Sequence, residues 1–127
     1  MTSLPSTRDL IQMAQAAGYQ IVTTQQLRAN RWLLTLSDST GATTLALIQA
    51  RPLISAADVQ DLAELARLRR PAYAVLLAYG GTFSPAAQRT LAELGDDQLR
   101  LCTSLPPAAQ SDPEGPRNAN PALRPIR

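Results

Sequence analysis

The chain is 127 residues long, 45% hydrophobic and 17% charged, a length that fits one domain with a sizeable core. Its 12 basic residues are all arginine, set against 10 acidic ones, with no lysine and no histidine, for a net charge of +2. That excludes a Ser-His-Asp or Cys-His site, a histidine-held metal, Schiff-base chemistry and a lysine-bearing phosphate loop, and bulk charge gives no argument for a polyanionic partner.

Ser6 or Thr7 can cap a first helix whose apolar stripe is Leu10, Met13, Ala14 and Ala17, with Gly18 placed to end it. Tyr19–Thr24 reads as a short strand and Gln25–Asn30 as a polar connection. Trp32–Leu36 and Thr43–Gln49 are β-prone runs on either side of Ser37–Gly41, which predicts a hairpin. Ser55 opens a second helix, with Asp58 at its third position to complete a capping box. Val59, Leu62, Ala63 and Ala66 share one face of that helix, and Arg67, Arg69 and Arg70 crowd its C-terminal end.

Tyr73–Tyr79 is a continuous apolar run, the pattern of a strand covered on both faces, and Gly80-Gly81 breaks it. Ser84-Pro85 starts a third helix that ends at Gly95, and Leu99–Cys102 is a last short strand. The order α-β-β-β-α-β-α-β predicts an α/β, three-layer fold with a central mixed β-sheet. In it the 32–49 hairpin is antiparallel, Tyr73–Tyr79 runs parallel to the third strand, and helices cover both faces. From Ser104 onward the chain has six prolines, no aromatic residue and no periodicity. The expected organisation is a domain over 1–103 and a disordered tail over 104–127.

The single cysteine, Cys102, excludes an internal disulfide and reads as a small buried hydrophobe. No apolar run reaches the roughly 18 residues of a membrane span and no leader opens the chain. A cytoplasmic protein without membrane contact is expected.

The order of these words resembles the Mrr-like branch of the restriction-endonuclease-like, PD-(D/E)XK, fold across most of residues 8–102. The words are Gly18-Tyr19 before a strand, Leu47-Ile48-Gln49-Ala50-Arg51 as a strand end, the helix within Ile54–Leu65, and Ala74–Ala87 as strand, Gly-Gly turn and Phe-Ser-Pro helix start. In active relatives an Asp on the second strand, and a Glu or Gln two residues before a Lys on the third, hold a divalent metal. The lysine there helps activate water. Here Gln49 keeps the middle position, Arg51 stands for the lysine, and the acid is expected near Leu33. Arginine, with a pKa above about 12, accepts no proton but can hold a phosphate through two bonds. The resemblance therefore implies a degenerate site with no assigned catalytic residue and no metal.

Asp38 is the nearest acid and a conceivable migrated ligand, although its Ser-Asp-Ser-Thr-Gly setting suits a turn. Asp58 and Asp61 read as a cap residue and a solvated helix face, and Asp9 as a partner of the first helix's dipole. Gly80-Gly81 supplies turn freedom. The helix start at Ser84 offers amides to a phosphate. Arg28, Arg31 and Arg51 are the candidate nucleic-acid contacts, and their falling on one face would favour that role. Trp32, Tyr73, Tyr79 and Phe83 are assigned to the core, which leaves no stacking platform.

Three functions fit these residues. The first is a catalytically degenerate, pseudo-nuclease domain that keeps DNA or partner binding in a nucleic-acid-processing or restriction system. The second is a protein-interaction or homodimerisation scaffold. The third is an active metal-dependent DNA endonuclease with a rearranged site, and only this one calls for a cofactor, Mg²⁺.

Overall fold

The computed structural model describes residues 4–108. In chain order these form α1 (Thr7–Ala16), β1 (Gln20–Arg28), β2 (Arg31–Ser37), β3 (Thr43–Gln49), β4 (Leu53–Ile54), α2 (Ala56–Arg69), β5 (Tyr73–Ala78), β6 (Thr82–Phe83), α3 (Pro85–Leu94) and β7 (Leu99–Cys102). The main sheet has the order β1-β2-β3-β5-β7. Its first three strands are antiparallel neighbours, while β3 with β5 and β5 with β7 are parallel. The mixed sheet therefore follows the predicted order.

Strand alternation divides the interior into two layers. Trp32, Leu34, Leu36, Ala46, Ile48 and Leu77 face α1, meeting Leu10 and Ala14. Leu33, Leu45, Leu47, Leu76 and Ala78 face the other way, meeting Val59 and Leu62 of α2 and Ala87 of α3. The middle strands β3 and β5 are buried almost end to end. Each leucine shut away there contributes about 1.5–3 kcal/mol relative to exposure. Among the described residues no helix is long and apolar enough to cross a membrane.

Ser6 caps α1 in a reciprocal box with Asp9: the Asp9 amide donates to Ser6 Oγ and the Ser6 amide to Asp9 Oδ2, both at 3.0 Å. The bond from the Ser6 amide, foremost, holds the Asp9 carboxyl below its usual range. Arg70 closes α2 in the left-handed conformation, φ 51°, and Pro71 prevents continuation.

Four expectations change. Gln25–Arg28 continues β1 instead of forming a connection. Its Thr and Gln side chains stand in solvent on an edge strand, so main-chain pairing holds it without an apolar face. The two-residue strands β4 and β6, which pair in parallel, are too short to leave a pattern. Tyr73, assigned to the core, is exposed at the sheet's end beneath the Arg100 guanidinium, 5.5 Å from the ring centroid.

The fourth change is the chain after β7. It turns back over α1, where Leu105 and Ala108 are buried. Tyr19 Oη donates to the Pro106 carbonyl at 3.0 Å and the Ala108 amide to that of Ala17 at 2.8 Å. The packed chain thus runs five residues past the boundary expected at Ser104. The rest of the segment read as a tail lies outside the described residues.

Candidate functional site

The residues singled out in the sequence meet where β3 ends. In the antiparallel register Leu33 lies opposite Leu47 and Arg31 opposite Gln49, so all four share the face covered by α2. Leu33 is buried there among apolar neighbours. Register thus sets Leu33, where the resemblance expects an acid, two residues along the same face from the Arg31–Gln49 pair.

Gln49 is buried, and its side-chain amide donates to Asp58 Oδ1. The other oxygen, Asp58 Oδ2, accepts from the Ser55 amide at 2.9 Å and from Ser55 Oγ at 3.1 Å. Arg51 Nη1 stands 3.6 Å from the same oxygen. Asp58 is 5% exposed, so a carboxylate out of water is matched by an amide, a cap and a guanidinium. One helical turn on, Asp61 accepts from Arg31 Nη2 at 2.7 Å. The Nε of Arg31 is buried with no partner.

Asp58 was expected to act only as a cap and Asp61 only as a solvated face; both also bind arginines. A usable cue lay in the spacing. A side chain in the first turn of a helix tilts back toward its N-terminus. Only five residues separate Gln49 from the Ser55 cap, so the acids of that turn are aimed at the strand end.

The remaining candidates sort plainly. Arg28 lies opposite Arg31 across the β1–β2 turn and is exposed. Arg28, Arg31 and Arg51 therefore lie toward one pole of the sheet, two of them tied to acids. Ser84 caps α3 by accepting from the Ala87 amide at 3.0 Å, and its own amide donates to the Ile54 carbonyl. Asp38 lies at the opposite pole, where Oδ1 accepts from the Thr40 amide, Thr40 Oγ and the Ala42 amide at 2.9, 2.5 and 3.0 Å. These bonds, foremost that from the Thr40 hydroxyl, hold its carboxyl below the usual range, and the side chain serves its turn. A cavity of about 200 Å³ also lies at that pole, lined by Tyr19, Asp38, Tyr73 and Arg100, well away from Gln49 and Arg51. Burial pushes the Cys102 thiol up to about 11, which keeps it protonated and unreactive at neutral pH.

Gly81 shapes the pole from below. A Cβ there would sit 1.9 Å from the Arg51 carbonyl oxygen, so the turn after β5 rests directly on the backbone that carries Arg51. The Thr82 amide donates to the Pro52 carbonyl at 3.0 Å, the bond that starts the β4–β6 pairing.

Two solved structures are similar to this arrangement. The apo form of EndoMS superposes with a TM-score of 0.56 over 85% of this chain and 49% of its own, at 18% identity. A repair endonuclease from Pyrococcus abyssi gives the same TM-score over 84% and 50%, at 13% identity. The fold is restriction-endonuclease-like. No protein-family model and no curated protein matches the sequence, and the chain spans about half the length of the structures it resembles.

A restriction-endonuclease-like fold implies a divalent metal at the end of β3, and the residues at this pole do not fit one. A hard cation needs several oxygen ligands carrying negative charge. The pole offers two aspartates, Asp58 with both oxygens engaged and a guanidinium beside it and Asp61 bonded to Arg31, and Leu33 stands where the resemblance expects a further acid. Among the described residues no three His, Cys, Asp or Glu side chains converge.

Proposed function

We propose that this chain is a nuclease-fold domain that has lost catalysis and keeps a binding role, toward DNA, in a nucleic-acid-processing system. The observation that carries this reading is the pole of β3. Leu33 is buried where the resemblance expects the second-strand acid, and Arg51, paired with the buried Asp58, stands where it expects the lysine. Without a metal nothing there lowers the pKa of a water, and arginine accepts no proton from one. What is left is recognition. The Arg51 side chain is 42% exposed, and its fork can hold a phosphate through two bonds. That one neighbour is a repair endonuclease supports the nucleic-acid setting.

Asp58 competes with any phosphate for Arg51, so the binding is weak and salt-sensitive. The test is a cleavage assay together with gel shifts. Linear and supercoiled DNA stay intact with Mg²⁺ or Mn²⁺. Arg51→Ala weakens duplex binding and flattens its salt dependence by about one phosphate contact. Metal-dependent nicking that disappears in Asp58→Ala or Asp38→Ala would overturn the loss of catalysis.

One observation favours a second reading, an interaction scaffold that binds no nucleic acid. Arg31 and Arg51 are each matched by an aspartate of α2, which leaves the pole close to neutral. Equally weak binding by wild type and Arg51→Ala at two salt concentrations selects that reading.

A further inference from the structure

β1 ladders to β2 along one side, and along the other it is the edge of the sheet. Eight of its nine residues are exposed, because α1 reaches only its beginning and α2 and α3 lie over the middle strands. Natural edges are blunted by short length, lysine, proline or bulges that twist them away. This one is long, has neither residue, and carries a single charge, Arg28, at its end.

Its exposed apolar residues have a structural cause. The register steps from Ile21–Leu36 to Thr23–Thr35, and from Gln26–Trp32 to Arg28–Arg31. Val22 and Leu27 are therefore the extra residues of two bulges, 58% and 40% exposed. Between them Thr23–Gln26 is regular, uncharged and bare on its outer edge.

We propose that this edge pairs with the same edge of a second copy of the chain, antiparallel about a two-fold axis at Thr24, joining two sheets into one. Only the Arg28 end of this strand reaches the Arg51 pole, and the pairing does not depend on the function proposed for that pole. The strand is complementary to itself in that register. Within the regular stretch Thr24 meets Thr24 and Thr23 meets Gln25, and beyond the bulges Arg28 falls toward Gln20, so no like charges oppose. The opposite edge, β7, spans only four residues and offers no equal match. Residues 109–127 make a poor occupant, since Pro113, Pro116, Pro121 and Pro125 interrupt the run of N–H donors that a ladder along this strand needs.

A strand-to-strand contact is smaller than a standard interface of about 1,600 Å², so association is read by sedimentation of the full chain at about 10–300 µM. The wild type is expected to shift from monomer to dimer across that range. Thr24→Lys and Thr24→Glu each place like charges across the axis at an exposed position and are expected to sediment as monomers with unchanged circular dichroism. Their equimolar mixture is expected to dimerise again, because lysine then faces glutamate. A wild type that stays monomeric, single variants that still dimerise, or a mixture that stays monomeric would each overturn the proposal. So would loss of the wild-type dimer on truncation after Ala108.

Discussion

Asp38 and Asp58 are alike in burial, 6% and 5% exposed, and stand at opposite poles of the sheet. The difference between them lies in who satisfies them. Asp38 takes its hydrogen bonds from Thr40 and Ala42, inside its own turn, so that corner needs nothing from the rest of the chain. Asp58 is held by Gln49 from β3, by Arg51 from the loop after it, and by the Ser55 cap of its own helix. A carboxylate satisfied locally is a structural staple. One satisfied by separate elements exists only after the fold has closed.

The contrast breaks most readily at Gly81. Gly81→Ala drives a methyl group into the Arg51 carbonyl. The clash is with backbone, and relief requires moving the turn or the strand end. A loss of about 3 kcal/mol in a urea titration is expected, at the upper end for an overpacked site.

Asp58→Ala comes next. It leaves the buried Gln49 amide without its acceptor and removes the counter-ion of Arg51, for an expected loss of about 2 kcal/mol. Asp38→Ala should lower the denaturant midpoint less, and with a pH signature. The folded carboxyl lies below its ordinary 3.8, so its contribution is complete above that value and disappears as pH falls through the folded one. The gap between wild type and Asp38→Ala therefore closes in acid; a gap that stays constant to low pH would show that the turn does not depend on the charge.

The smallest effect concerns the chain's end, another case of remote packing. Truncation after Ala108 is expected to cost less than about 1 kcal/mol, whereas truncation after Thr103 costs more, since it removes Leu105 and Ala108 from the α1 layer. Equal midpoints for the two truncations would show that the 104–108 segment adds nothing.

Much of the architecture was legible because it rests on short-range rules. Ser6, Ser55, Ser84 and Gly95 mark helix ends through side-chain and backbone preferences that need no tertiary partner. Trp32–Gln49 and Tyr73–Tyr79 announce their strands by β-prone, apolar runs. Gln25–Arg28 escaped notice because polar residues on a solvated edge leave no alternation. Leu105 and Ala108 escaped because two apolar residues among prolines make no pattern.

The sequence by itself determined the element order, the mixed sheet, and the absence of lysine, histidine and a second-strand acid, since composition and periodicity are local properties. Only the tertiary structure decided which arginines meet which acids. Register put Arg31 beside Gln49, and the docking of α2 brought Asp61 to Arg31 and Asp58 to Gln49 and Arg51. Those contacts depend on distances between segments far apart in the chain, which no local pattern encodes.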